Sequence, residues 1–360
     1  MAARARVAFV GCGMMSQTVH LPNFSANEKC SIVALAELRK EVGRRVAAKH
    51  RIPAVYTSLD EMIASERFDA MAIILPPQLT LDPVGCALKT SKPVFIEKPM
   101  ATNVADALKM VAASEASHAP IMVAYHKRYD PGVEKAKALI DGYRADGELG
   151  KIVSARVWCH QGDWFAGYPR QTIETPNETK VSYPQPGTTG VPEWIAADMR
   201  GVYDGVTGNL CHSVNLMRHL IGDPVKVDSA VIRPAKFVWN PPMAILFDYG
   251  DFEAVLDTGL VKTEAWDEGV RVNFEKGWLE VRVAPPLLRA PSEVTLRRAG
   301  KGVECPVVEY GWAFTREAAH FIDCVAEGGE FRSSGKDSAR DLAVIEAMFR
   351  SAQERRSVAP

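Results

Sequence analysis

The sequence has almost no excess of charge: 43 lysines and arginines meet 44 aspartates and glutamates, for a net charge of -1. A nucleic-acid binder normally carries a basic excess or stripe, and neither is present, so no nucleic-acid partner is expected. No run approaches the roughly 20 apolar residues of a membrane helix, so no membrane partner is expected either. The opening MAARARVAFVGCG places two arginines before an apolar run. That run is too short for a signal peptide and ends in glycine rather than at a small-residue cleavage site; it reads as a first β-strand. Cysteine is sparse: seven residues, an odd number, with no CxxC spacing. Free thiols in a reducing cytoplasm fit this usage. GxSxG, HExxH and P-loop lysine patterns are also missing, which leaves serine hydrolysis, zincin and kinase chemistry without support.

What the chain does have is length and apolar material. Its 360 residues exceed one ordinary domain, and 47% of them are hydrophobic, enough for two cores. The first third alternates strand and helix patterns. Strands are expected at 5–10, 31–36, 68–75, 93–96 and 120–124, with helices at 41–50, 81–89 and 103–117 between them. That rhythm implies right-handed βαβ units and a parallel sheet. After about residue 123 the pattern changes. A helix over 132–141 is followed by long connections and by period-2 alternation at 270–274 and 279–283, the mark of antiparallel strands with two unlike faces. A last helix is predicted over 337–354. The expected fold is therefore α/β: a Rossmann dinucleotide-binding domain over 1–123 and an α+β domain with a large, mostly antiparallel sheet over 124–360.

Two constellations carry chemistry. Gly11-x-Gly13-x-x-Ser16 directly follows a strand and opens a helix. The first glycine permits a tight turn, and the second lets backbone approach a pyrophosphate at the positively polarised helix start. A small third residue allows close helix–strand packing. Cys12, Met14 and Met15 complete this candidate cofactor loop. Glu37 ends the second strand, 26 residues after Gly11, where a carboxylate can accept from the adenine ribose hydroxyls and repel a 2′-phosphate. NAD is thereby favoured, while Arg39 and Lys40, next in the chain, keep NADP open. The second constellation is Glu97-Lys98-Pro99 after the strand PVFI, at the carboxyl end of a parallel strand, where ligands bind in open sheets.

The order GCGMMS, ALAE and ILPPQLTLDPVGCALKTSKPVFIEKPMATN, followed by AYHKRYDPGVEKAKALI and GELGKIVSARVW, resembles the Gfo/Idh/MocA family of oxidoreductases. The closing SSGKDSARDLAVIEAMFRSAQERRSV does so too. The resemblance implies a nicotinamide dinucleotide on the first domain and a substrate over the sheet of the second. It implies that Lys98 is the catalytic lysine, close to substrate, and that Glu97 and the turn Leu75-Pro76-Pro77-Gln78 contact the cofactor. Thr80 stands where many relatives carry histidine, so that contact is not transferred. Arg128 matches an arginine of the second-domain entry and is placed with the cofactor contacts; Tyr125 and His126 fall beside the same cleft.

The segment from Asp204 to Leu216 resembles the family's helix that carries an acid, then a histidine, then an aspartate one turn later. His212 matches the histidine, which implies proton transfer with the hydroxyl being oxidised. Gly208 replaces the acid and Asn215 the aspartate, so Asn209 or Asp204 would have to take over part of the polar work. His212 and His219 lie two helical turns apart, but no carboxylate cluster or CxxC joins them and no metal is expected.

The long stretch 162–203 carries Trp164, Phe165, Tyr168, Tyr183 and Trp194. Aromatic faces suit a sugar, and Trp164 and Tyr168, with Lys98, His126, Asn209 and His212, are the expected substrate contacts. The expected activity is NAD(P)-dependent hydride transfer to or from a secondary alcohol carbon of a polyol: a sugar, a sugar derivative or a cyclitol. Two other readings stand beside it: a lyase or glycosidase with transient redox and no net NADH, and a non-catalytic NAD(H)-binding protein. The mixed face of the strands at 270–283, with Trp278, Glu280 and Arg282, needs a cover, so a homo-dimer or homo-tetramer is expected.

Overall fold

The computed structural model describes residues 4–65, 67–168, 172–174, 185, 187–234, 239–261 and 265–360. Tyr183 lies outside them. The chain forms two units, each assembled from separate stretches. The first comprises Met1–Tyr125, Pro169–Gln185 and Phe314–Ala339; the second His126–Tyr168, Pro186–Ala313 and Arg340–Pro360.

The first unit opens with β1 (Ala5–Val10), whose Val7, Ala8 and Phe9 are fully buried, as a strand covered on both faces requires. A helical segment follows, beginning with a π-turn at Ser16–His20 and continuing as α1 (Leu21–Ala26). Then come β2 (Cys30–Ala36), α2 (Lys40–His50), β3 (Ala54–Tyr56), α3 (Leu59–Ser65), β4 (Ala70–Ile73) and α4 (Leu81–Leu88). The series ends with β5 (Val94–Ile96), α5 (Val104–Ser117) and β6 (Ile121–Val123). The six strands form one parallel sheet in the order β3-β2-β1-β4-β5-β6. The direction of winding reverses between β1 and β4, which makes the carboxyl ends of those two strands the ligand crevice of such a sheet. The apolar run 68–75 outlasts its strand because Ile74 and Leu75 turn over the backbone of Gly11.

The second unit starts with α6 (Pro131–Asp146), capped by the Asp130 carboxylate, which accepts from the amides of Gly132 at 2.8 Å and Val133 at 3.1 Å. It runs to Asp146, five residues beyond the predicted Asp141, and left-handed Gly147 caps it. After β7 (Ile152–Gln161) come α7 (Arg200–Gly205), a π-turn at Val206–Leu210 and α8 (Cys211–Ile221). Seven strands follow: β8 (Lys226–Ile232), β9 (Met243–Asp248), β10 (Glu253–Thr258), β11 (Asp267–Phe274), β12 (Gly277–Arg282), β13 (Glu293–Arg298) and β14 (Val303–Glu304). The eight-stranded sheet runs β14-β13-β12-β11-β7-β10-β9-β8. Only β7 and β10 pair in parallel; the rest is antiparallel, as the alternation predicted. Val270 faces Val281 and Val272 faces Leu279 across the β11–β12 hairpin, all four buried on the side where Tyr143 of α6 meets Phe274. The opposite side carries Arg156, Val255, Asp257, Arg271 and Trp278, none of them fully buried.

Two helices close the chain. α10 (Gly335–Glu354) begins two residues before its predicted start. α9 (Ala313–Glu327) was not anticipated from the sequence and belongs, after its first residue, to the first unit. It lays Phe314 against His20, and Phe321 against Phe24 and Phe95, with ring centroids 6.3, 6.0 and 5.3 Å apart. Edge-on aromatic contacts of this kind contribute about 0.5–1.5 kcal/mol each beyond simple burial. Among the described residues no helix is long and apolar enough to cross a membrane.

Candidate active site

The glycine loop sits where the winding reverses. Gly11 adopts φ +84°, and a Cβ there would meet the Ile74 carbonyl oxygen at 2.6 Å and the Leu75 side chain at 2.8 Å, so only glycine fits. At Gly13 a Cβ would meet no protein atom within 4 Å. The loop therefore leaves open space at this position, as a pyrophosphate lying on it requires. Helical backbone begins at Met14, and the first amides of a helix lack intrahelical acceptors and polarise toward an anion. Ser16 is fully buried, filling the small third position against the strand. Gln17 closes the loop from behind: its side chain donates to Cys12 O at 2.7 Å and accepts from the Ile173 amide at 2.7 Å. These features fit a dinucleotide.

Glu37 leaves β2 and turns back onto the loop. One carboxylate oxygen accepts from the Cys12 amide at 2.9 Å and thiol at 3.2 Å, the other from the Arg39 amide at 3.1 Å and Nε at 2.9 Å. Burial alone would push the Glu37 carboxyl up, but these donors, Arg39 foremost, hold it below the ordinary range. The Cys12 thiol is driven the other way, well above its ordinary range, by burial and by the Glu37 charge beside it. Arg39 was read from the sequence as available to a phosphate. Instead it is clasped by Glu37 and by Glu174, 3.0 Å from its other end. Glu174, 135 residues away, carried no sequence signal for this role.

At the end of β5, Glu97 is buried and bonded on both sides. Its Oε1 lies 2.6 Å from His20 Nε2, and its Oε2 accepts the Lys98 amide at 3.0 Å. Burial raises this carboxyl's affinity for a proton, yet His20 and Lys98 bring it below the ordinary carboxylate range. The Lys98–Pro99 bond is cis, and the Lys98 side chain is half-buried. Leu75, Pro76 and Gln78 line the turn after β4, half-buried. Thr80 is fully buried and its hydroxyl donates to Pro77 O at 2.8 Å, so the position has no ligand contact to offer.

The second unit gathers His126, Arg128, Asn209 and His212 around the start of α8. His212 is on its first turn, directly after the π-turn, an insertion frequent at functional sites. His126 meets it edge to face, with ring centroids 4.9 Å apart. Arg128 is buried and donates through Nε to Asn215 Oδ1 at 2.8 Å; Asn215 in turn donates to Asp341 Oδ2 at 2.8 Å. Asp341 also pairs with Arg218, both buried. The amide at 215 thus joins a cation to an anion, and an aspartate there would confront Asp341. A second buried pair, Lys127 with Glu268, lies under Ser213, whose hydroxyl donates to Glu268 at 3.3 Å. Neither network was foreseen. Asn209 donates to Trp239 O at 3.0 Å, and Asp204 stands a turn earlier, at the end of α7.

Among the described residues the aromatic side chains of this stretch take different partners. Trp164 packs on Phe165, with centroids 4.1 Å apart, while Tyr168 lies under Arg289, which also covers Trp312. Trp194 lies apart from them, stacked against Arg350 of α10 at 4.0 Å. Among the described residues no three histidine, cysteine or acidic side chains converge as metal ligands.

Fold and loop together define a dinucleotide-binding domain of the Rossmann type. Residues 5–125 match the model of the Oxidoreductase family, NAD-binding Rossmann fold. It is 24% identical to D-apiose dehydrogenase from Paraburkholderia graminis over 99% of this chain and 89% of that protein. It is 23% identical to inositol 2-dehydrogenase from Rhizobium meliloti over 98% of each. The fold matches the crystal structure of aldose-aldose oxidoreductase from Caulobacter crescentus complexed with glycerol, with a TM-score of 0.76 and 23% identity, over 99% of this chain and 100% of that one. The protein is an NAD(P)-dependent oxidoreductase acting on CH–OH groups.

Proposed function

We propose that the protein transfers a hydride to or from a secondary alcohol carbon of a sugar, sugar derivative or cyclitol, with NAD preferred over NADP. The observation that carries this is the glycine loop at the sheet's reversal point, bare at Gly13, on the same sheet whose strand β5 ends in Glu97 and Lys98. The names of the apiose and inositol dehydrogenases, to which the chain is similar over nearly its whole length, support the substrate class. When bound, the nicotinamide supplies the carbon that accepts or gives the hydride. In this reading the amides of Gly13, Met14 and Met15 hold the pyrophosphate, and Leu75, Pro76, Gln78 and Glu97 line the rest of the cofactor. Glu37 accepts from the adenine ribose while Arg39, neutralised by two carboxylates, offers little to a 2′-phosphate.

Lys98 donates to the substrate oxygen as charge develops on it, the kind of preplaced donor that lowers such a barrier. His212, with His126 against its ring, exchanges the hydroxyl proton. Asn209, Trp164 and Tyr168 contribute substrate contacts. Arg128 acts through Asn215, fixing α8 and with it His212. The exposed mixed face of the eight-stranded sheet is the surface for a homo-dimer or homo-tetramer, and seven free cysteines suit a cytoplasmic setting. Absorbance of reduced nicotinamide across a panel of sugars and cyclitols, with product analysis, tests the assignment. Net NADH is the expected result. Product without NADH would instead indicate a redox-neutral lyase or glycosidase, and tight cofactor binding with no turnover a binding protein.

A further inference from the structure

The first unit buries an acid that the reaction above does not use. Glu317 is 1% exposed, in the middle of the α9 face that carries Phe314 one turn before it and Phe321 one turn after. That face packs on His20, Phe24 and Phe95. Neither carboxylate oxygen of Glu317 has a hydrogen-bond partner among the described residues. An ionised carboxylate left in that state is costly, so with no positive charge nearby the group keeps its proton. Burial is the first cause and the charge of Glu97 the second; together they push the Glu317 carboxyl far above the ordinary range. The titratable groups facing it are Glu97 at the end of β5 and, through Glu97, His20 on the π-turn and Lys98 after the strand. On α9 itself His320 follows one turn later, its Nε2 accepting the Arg332 amide at 3.2 Å.

We propose that Glu317 is the proton-carrying member of a buried His20–Glu97–Glu317 cluster, a positioning residue that acts on the cofactor through Glu97 and links binding of the oxidised dinucleotide to release of one proton. The inference rests on the placement of Glu97 beside the cofactor made above. A positive ring near Glu97 favours ionised carboxyls behind it. The O–H bond of Glu317 then breaks, the electron pair stays on the carboxylate and the proton passes to solvent. The reduced ring carries no such charge and leaves the proton in place. The cluster is thus a device for telling the two redox states apart by pH.

Two measurements test it. The first needs no cofactor. An acid whose folded pKa is raised contributes stability that is full below the ordinary carboxylate range and is lost as pH rises toward the folded value. Denaturant titrations should show that loss in the wild type and not in Glu317→Gln, which mimics the neutral acid. The second counts protons by calorimetry in two buffers of different ionisation enthalpy. In the pH window between the free and the NAD+-bound titration of Glu317 the wild type should release up to one proton on binding NAD+ and none with NADH, so NAD+ affinity climbs by up to about tenfold per pH unit across that window. Glu317→Gln should abolish the release and the climb. Equal pH profiles of stability in the two proteins, or proton release that is missing from the wild type or unchanged in the variant, overturns the proposal. Because wild-type protein alone can give the overturning result, a poorly folding variant does not protect the idea. Failure of the polyol screen would count against the dehydrogenase reading and not against these two results.

Discussion

The two units differ in how their buried charge is held. Around the glycine loop several partners are near in sequence, with Glu37 bonding Arg39 two residues on and Cys12 25 residues back and Glu97 bonding the next amide, and His20 adds one contact to Glu97 across 77 positions. In the second unit the polar core is stitched across the chain. Arg128 reaches Asn215 over 87 positions, Asn215 reaches Asp341 over 126, and Lys127 reaches Glu268 over 141. A short-range motif holds its geometry by backbone constraint, so its residues can be replaced only by others that fit the same turn. A long-range network is held by charge balance: here Arg128 and Arg218 are set against Asp341, with the neutral Asn215 amide bridging Arg128 to that carboxylate.

The sharpest way to break this contrast is to unbalance the network. Asp341→Ala leaves Arg218 buried and short of one anion, and Asn215 without an acceptor. Losing one partner of a buried pair costs about 3–5 kcal/mol; Arg218 keeps Asp223, half-exposed, which moves the expectation toward the lower end. Chemical denaturation should find a drop of that size. A change under about 1 kcal/mol would mean that the network is held by packing and not by charge.

The local motif is tested through Lys98. Lys98→Ala should lower turnover by about 10²-fold or more, equal to about 2.7 kcal/mol of barrier, with cofactor affinity little changed. Steady-state kinetics on a polyol found by the screen, with cofactor titration alongside, separates the two. Near-normal turnover would reduce Lys98 to a structural neighbour of Glu97.

The same contrast explains what the sequence made legible. The parallel sheet, the glycine loop, Glu37 and the Glu97-Lys98 pair were readable because strand period, turn chemistry and motif spacing are local properties. The β11–β12 hairpin was readable from its alternation for the same reason. The pairing of Arg128 with Asn215, the Lys127–Glu268 bond and the grip of Glu174 on Arg39 depend on which distant segments meet, and no spacing rule encodes that. α9 is a different case. Phe314, Ala318, Phe321 and Ile322 recur at helical spacing, so its existence was written in the sequence. Its place in the first unit was not, because nothing local says that a helix so late in the chain covers His20 and Phe95. Trp194 shows the converse. It was read as part of one aromatic stretch, yet a cation from α10 claims it.

The smallest expected effect lies at the edge of the cofactor loop, where the local pattern and one long-range contact meet. Arg39 is held by Glu37 through Nε at 2.9 Å and by the distant Glu174 through a terminal nitrogen at 3.0 Å. Glu37→Gln keeps an oxygen for the Cys12 amide but removes the charge that repels a 2′-phosphate and holds Arg39. If Glu37 alone sets cofactor choice, the NAD preference should narrow by about tenfold, about 1.4 kcal/mol, because Arg39 becomes available to the phosphate. Glu174 opposes this by keeping its own hold on the guanidinium, although it is exposed, and an exposed pair contributes only about 0–1 kcal/mol. Glu174→Ala alone should therefore move the NAD to NADP ratio by less than Glu37→Gln, and the double variant should move it most. Titrating both dinucleotides against the four proteins by tryptophan fluorescence gives the ratio in each. If Glu174→Ala shifts it as far as Glu37→Gln, selectivity belongs to the long-range contact rather than to the acid at the strand end. If neither variant moves it, both carboxylates serve only to anchor Arg39.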